Sequence, residues 1–381
     1  MVVPGPGTAW DALGPALGAI DRDVAVAVSE SRRIPVRIPG IERVEDPLHR
    51  ATSAPHVIDL PALHHDVRDR AGQLAALAAG GAVVRVREPD EALESLLGSE
   101  LFQSMTWDGS ELDETERERM SVRQRRAALR DHSLSSRVRQ IVEHARLAPL
   151  DLPLVSVLAA TNRPDHVPNL LAAVAAQNYP QLELVLALHG GGFGGEVDSV
   201  ARELSMPVQV VRVAHEMTLG DALNLAVRAS SGTLLTKFDD DDHYGPDHVF
   251  DLVLAREYSR AELVGKAAEF VYLARSETTV RRFAGRAETF STTIGGGALL
   301  ISRHDLGEAG GWRRVPRGVD RALVEDVENA GGAVYRTHGF GYVLVRHGQG
   351  HTWAEEDQYF LDQAEDRRAG LALGWAGVET P

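Results

Sequence analysis

Residues 234–246 read LLTKFDDDDHYGP: an apolar run long enough for one strand, then four consecutive aspartates, Asp239 to Asp242, then a turn closed by Gly245 and Pro246. A short strand ending in such a cluster is an ion site or a costly arrangement. Two like charges about 4 Å apart repel by roughly 1 kcal/mol in water and about 4 kcal/mol at an effective dielectric near 20. Four carboxylates therefore need solvent, protons or a divalent cation. A solvated acidic loop is the plain alternative, but the flanking strand favours a site. Hard cations such as Mg²⁺ and Mn²⁺ take carboxylate oxygens and share their remaining positions with substrate phosphates, and α/β sheets bind ligands at the carboxyl ends of their strands.

The chain around this stretch is ordinary for a globular protein: 381 residues, 44% hydrophobic and 25% charged, with a formal net charge of −15. That charge argues against a nucleic-acid surface, which needs a broad basic face. The absence of cysteine excludes disulfides, thiolate metal sites and cysteine nucleophiles. The opening MVVPGPGTAWDALG has no basic segment followed by an apolar one, and no run approaches the length of a membrane span. A cytoplasmic protein without a membrane span is expected.

Working outward from the acidic turn, strand-like and helix-like stretches alternate. PLVSVLAATNRP, QLELVLALHGG and PVQVVRV read as strands ahead of LLTKF. Between them, Val167, Leu170, Leu171 and Val174 follow helical spacing, as do Leu219, Ala222, Leu223, Ala226 and Val227. Alternation of this kind predicts an α/β fold with a mostly parallel sheet and flanking helices. The prolines of LAPLDLP mark a boundary. The expected organisation is a loose leader over 1–30, a smaller α/β domain over 31–148 ending in charged helices, a main domain over 153–365 and a C-terminal tail over 366–381. In the smaller domain HVIDL and GGAVVRV read as strands, and Gln73–Ala79 and EALESLLG as helices. The stretch 111–147 reads as one long helix or two joined near His132 to Ser135, with Val138, Ile141 and Val142 as a packing stripe.

In this order VSVLAATNRP, the QNYP turn, LELVLALHG, LGDALNLAVRASSG and TLLTKFDDDDHYGPDHV resemble the GT-A glycosyltransferases of family 2, an inverting group, over residues 153–352. The resemblance implies a Rossmann-like GT-A domain that uses a nucleotide diphospho-sugar, UDP-linked in many relatives, a hydroxyl-bearing glycan or small-molecule acceptor, and Mn²⁺ or Mg²⁺. Counting back from Pro246 aligns Asp239 and Asp241 with the family's paired metal-site aspartates, and Asp242 with a further acid. On that reading Asp241 binds the cation, Asp239 meets the ribose or the metal, and Asp240 points to the other side of the strand end.

The resemblance carries further residues. Thr161 and Arg163 match positions that meet the nucleotide, with helix capping and plain exposure as the alternatives. His189 stands where most relatives carry a base-reading Asp, so the base is left open. Asn224 matches a recurrent Asn of ligand or packing role. Gly295 to Gly297, Gly296 among them, would bring backbone to the donor sugar, and Gly311-Trp312 matches a Gly-aromatic pair beside the acceptor. Asp320 matches the general base, although the family's preceding Glu is Val319 here. Asp320 also reads as a helix N-cap, and Asp326 and Glu325 are weaker candidates. His347 and His351, in VRHGQGHTW, match a late metal or diphosphate ligand, surface exposure being the alternative.

Residues 60–146 carry a fainter likeness to the closing helices of GT-B glycosyltransferases related to spore-maturation proteins. Sugar transfer has two rivals. A nucleotidyltransferase would need a Gly-rich basic loop that AATNRPDHV lacks. A catalytically silent sugar-nucleotide scaffold or sensor would account for Val319 and His189.

Overall fold

The computed structural model describes residues 58–60, 66–87, 90–146, 150–195, 197, 203–315, 318–347 and 357–378. The leader expected over 1–30, and His351, lie outside the described residues. The chain divides into two units, Met1–Asp151 and Leu152–Pro381.

In the first unit, strands β1 (Ile58–Leu60) and β2 (Val84–Val86) pair in parallel. Its described helices are α1 (Val67–Ala79), α2 (Glu91–Leu97), α3 (Ser99–Met105), α4 (Glu114–His132) and α5 (Leu134–His144). Leu74, Val84, Leu93, Leu97, Leu101 and Met105 form its core. Buried Gln124 on α4 acts as a surrogate peptide, accepting from Val84 N–H at 2.8 Å and donating to the Val84 and Ser104 carbonyls. Ser133 resolves the choice between one helix and two: it ends α4 and caps the start of α5. The stripe expected on α5 is not buried. Ser136 turns inward, while Val138 and Ile141 are 38% and 44% exposed.

The second unit opens with β3 (Val155–Thr161), a 3₁₀ turn (Pro164–His166), α6 (Val167–Ala175), β4 (Leu182–His189), β5 (Val208–Val213), α7 (Leu219–Ala229) and β6 (Leu234–Phe238). Then come β7 (His243–Tyr244), α8 (His248–Ser259), β8 (Leu263–Lys266), β9 (Phe270–Leu273), β10 (Thr278–Arg281), β11 (Thr289–Phe290) and β12 (Leu299–Ser302). Further described elements are α9 (Arg303–Glu308), α10 (Val319–Asn329), β13 (Val334–Thr337), β14 (Tyr342–Arg346), α11 (Asp357–Asp362), β15 (Asp366–Ala369) and a 3₁₀ turn (Leu373–Ala376).

Among the described residues, eight strands form the central sheet in the order β11-β13-β8-β12-β6-β3-β4-β5. The run β6-β3-β4-β5 is parallel throughout, as is β13-β8, and β12 runs antiparallel between β8 and β6. The α/β class with a mostly parallel sheet, expected from alternation, is the one observed. Helix α7 packs on β3, β4 and β5, and α8 on β8, β12 and β13. A second sheet, β15-β10-β9-β14-β7, was not foreseen. Residues 366–369, assigned above to a tail, pair with β10 at its edge, and Trp375 just beyond is buried. No described helix is long and apolar enough to cross a membrane.

Candidate active site

Strand β6 is buried along its whole length between β3 and β12, so the chain must leave the sheet where hydrophobic residues give way to charge. That point is Asp239. The antiparallel register sets Leu299 of β12 opposite Lys237, which brings the glycines preceding β12 to the same end of the sheet. Tyr244 joins the two segments: its hydroxyl accepts from Asp239 N–H at 2.7 Å and donates to the Gly297 carbonyl at 2.9 Å.

The four aspartates have four different surroundings. The carboxylate of Asp239 lies 2.8 Å from Lys237 Nζ. Asp240 is buried, accepts from the Thr161 hydroxyl and is ion-paired with Arg163. Asp241 sits 2.9 Å from Arg163 Nη1 and 3.9 Å from His347 Nε2. Asp242 accepts from the Tyr342 hydroxyl at 2.7 Å and from Val345 N–H at 2.9 Å. Burial, with Asp239 and Asp241 nearby, pushes the Asp242 carboxyl well above the usual carboxylate range, against the pull of those two bonds.

Asp320 comes from a distant part of the chain. It is the second residue of α10, and the cap position belongs to Gly318, whose φ of 70° lies in the left-handed region glycine tolerates. The N-cap alternative for Asp320 is therefore not what the helix uses. Its side chain is 30% exposed and lies 3.1 Å from Lys237 Nζ. Burial raises the Asp320 carboxyl, the Lys237 ammonium opposes that, and Asp239 adds to it. Lys237 itself is 3% exposed. Burial works against its charge, and the Asp239 and Asp320 carboxylates outweigh burial, so its ammonium is held above the ordinary range.

Glycine is required at two points of this contact. A Cβ on Gly296 would stand 2.2 Å from Asp320 Oδ2, and one on Gly297 would stand 2.7 Å from Asp242 Oδ2 and 2.8 Å from Asp239 Oδ2. Only a residue without a side chain lets this backbone lie against three carboxylates.

His189 ends β4 beside Thr161, whose register partner is Leu188. Its Nε2 is buried without a hydrogen-bond partner among the described residues. His347 is 42% exposed and edge-on to His166, ring centroids 6.1 Å apart. Trp312, expected beside substrate, is 2% exposed and belongs to the core with Leu223, Leu306 and Leu323. Asn224 explains this placement, accepting from Trp312 N–H at 3.0 Å and donating to its carbonyl at 2.8 Å. The substitute bases are engaged elsewhere, Asp326 with Arg313 and Glu325 with Arg321 and Arg313. The sequence reading missed Lys237, Tyr244 and Tyr342; a lysine inside an apolar strand was the available signal for the first.

Among the described residues no three His, Asp or Glu side chains are already arranged as a ligand set. The donor chemistry nevertheless fits a hard cation. Five carboxylates, Asp239 to Asp242 and Asp320, face only Lys237 and Arg163 as charged partners in the contacts described, an excess of three formal negative charges. Mg²⁺ is characteristically held by one or two carboxylates plus substrate phosphates, so two carboxylates of this turn would be enough.

Residues 156–293 match the family Glycosyl transferase family 2. The match lies within the Leu152–Pro381 unit and marks this stretch, with its parallel strands and aspartate turn, as similar to glycosyltransferases of family 2. The matched residues include the four aspartates and end before Gly295, Asp320 and His347. Among solved structures the chain is similar to S. aureus TarS 1-349 in complex with UDP-GlcNAc, at 12% identity and a TM-score of 0.44, over 53% of this chain and 61% of that one. It is similar also to the mannosyltransferase PcManGT from Pyrobaculum calidifontis in complex with GDP-Man and Mn²⁺, at 18% identity and a TM-score of 0.40, over 56% and 64%. The chain thus spans less than two thirds of either structure. No curated protein matches the sequence.

Proposed function

We propose that the Leu152–Pro381 unit transfers a sugar, with inversion, from a nucleotide diphospho-sugar to a hydroxyl-bearing acceptor. The observation that supports this best is the meeting of Asp320 with the aspartate turn at one strand end, both in contact with Lys237. A proton-accepting carboxylate and a donor-binding acidic turn then flank one reaction centre.

Thr161, Arg163 and His189 line the strand ends on which the nucleotide rests in this reading, and UDP is the first nucleotide to test. Asp239 and Asp241 would hold Mn²⁺ or Mg²⁺, with the His347 imidazole 3.9 Å from Asp241. Such a cation supplies Lewis-acid neutralisation of the charge that develops on the departing diphosphate. Asp320 takes the proton of the acceptor hydroxyl as its oxygen attacks the anomeric carbon from the face opposite the diphosphate; the bond to the diphosphate breaks and its electron pair leaves with it. General-base assistance of this kind contributes about 10² to 10⁴ in rate.

A panel of UDP- and GDP-sugars incubated with the full chain and Mn²⁺ tests the reading through release of nucleoside diphosphate, with water as the acceptor of last resort. Release from at least one donor, lost in Asp320→Asn, is expected. Tight nucleotide binding without release from any donor, with sugar acceptors supplied, would replace transfer by a sensing role.

A further inference from the structure

Lys237 stands out among the buried charges of the second unit because its three contacts come from three separate segments. Its Nζ lies 2.8 Å from Asp239 Oδ1 in the turn after β6, 3.2 Å from Asp320 Oδ2 in the first turn of α10, and 3.2 Å from the Gly296 carbonyl ahead of β12. An ammonium has three donors and no acceptor, so these partners exhaust it. Nothing is left to grip a phosphate.

We propose that Lys237 is a positioning residue for the transfer reaction: it fixes the orientation of the Asp320 carboxylate and its spacing from the donor-binding turn. This rests on the assignment of Asp320 as the base. Oδ2 of Asp320 accepts from Lys237, whereas Oδ1, although 3.1 Å from the same ammonium, is a buried oxygen with no hydrogen bond of its own among the described residues. The lysine thus fixes the plane of a carboxylate whose side chain still keeps 30% of its surface exposed. Desolvating an ammonium costs several kcal/mol, and a well-packed apolar side chain commonly serves stability as well or better. The neighbours Leu234, Leu235 and Phe238 show what β6 otherwise buries. The element that benefits from the charge is therefore the pair of carboxylates at the reaction centre, 2 and 83 residues away along the chain.

The test is a double-mutant cycle in the full chain with Lys237→Met, Asp320→Asn and the two combined, using the sugar nucleotide that the donor panel identifies. Turnover in Lys237→Met should fall at least about tenfold, as misplacement by a fraction of an ångström to 1 Å does. KM for donor, measured at saturating Mn²⁺, should stay within about threefold, the pattern of an interaction realised only in the transition state. The double variant should be no slower than Asp320→Asn, because two changes on one device do not add. Additive losses, or full turnover in Lys237→Met while Asp320→Asn is inactive, would overturn the positioning role alone. Full turnover in Asp320→Asn would remove the base assignment and the positioning role with it. Should Lys237→Met lose its thermal transition, Lys237→Arg carries the test: it keeps the charge but alters the donor geometry. Its turnover should fall with KM at saturating Mn²⁺ unchanged, and wild-type turnover there would overturn the proposal.

Discussion

The Tyr342 hydroxyl donates to the Asp242 carboxylate across 2.7 Å, joining the aspartate turn to strand β14 of the second sheet. Both groups are buried. Tyr342→Phe removes one of the two bonds given to Asp242 and leaves Val345 N–H as the other. A loss of about 1–3 kcal/mol in urea unfolding is expected, the usual cost of leaving a buried polar group short of a partner. Unchanged stability would show that solvent reaches Asp242.

Asp241→Asn keeps the shape of the turn and removes the charge a cation needs. UDP affinity measured by calorimetry in Mn²⁺ should drop at least about tenfold, because an amide oxygen replaces an ionised ligand of a hard cation. EDTA should weaken the unmodified protein to a similar degree. Equal affinity under all these conditions would place the cation elsewhere or dispense with it.

Gly296→Ala puts a methyl group 2.2 Å from Asp320 Oδ2 and 2.6 Å from its Cγ. The carboxylate must move. Turnover should fall by about 10², while UDP binding, which does not require Asp320, persists. A fall in thermal stability without any loss of turnover would argue that Asp320 is a structural acid.

His248 is fully buried among Phe238, Tyr244 and Tyr342, with ring centroids 5.3, 4.9 and 5.9 Å away. Burial, and then the Lys266 ammonium, hold its imidazole well below the ordinary range, with Asp251 pulling the other way. The folded chain thus keeps His248 neutral at a pH where the unfolded chain, with a value of about 6.5, has taken up a proton. Its contribution to stability is present above that value and is lost as pH falls. His248→Phe removes this dependence, so the melting temperature of the variant should gain on the parent between about pH 7.5 and about pH 5. A constant difference would mean that His248 is protonated in both states or neither.

The local half of this architecture was legible. Apolar spacing over Val167–Val174 and Leu219–Val227 announced α6 and α7, and the abrupt change after Phe238 announced a strand end. Asp320 was singled out only by the family resemblance, its place before a helical face reading equally as an N-cap. What periodicity does not carry is the pairing of distant segments. Lys237 passed unnoticed in a strand read as apolar, because its partner Asp320 lies 83 residues on and only the fold makes them neighbours. Gly311-Trp312 read as a substrate edge, yet Asn224 bonds to both sides of the Trp312 peptide and draws the ring into the core. The second sheet escaped for the same reason: β7 is only two residues long and is defined by β14, far along the chain.

The two sides of the aspartate turn become available at different moments of synthesis. Thr161 and Arg163, which hold Asp240, have been made before the turn itself emerges. Tyr342 and Val345, which hold Asp242, follow it by 100 and 103 residues. At translation rates of about 5–20 residues per second that interval is on the order of 5 to 20 s. During it the nascent chain displays four aspartates with only one flank secured, and water or a cellular cation must carry the rest of their charge. The aspartate turn is therefore completed late in the synthesis of this unit, and a chain stalled before Tyr342 holds the acids without the strand that fixes them.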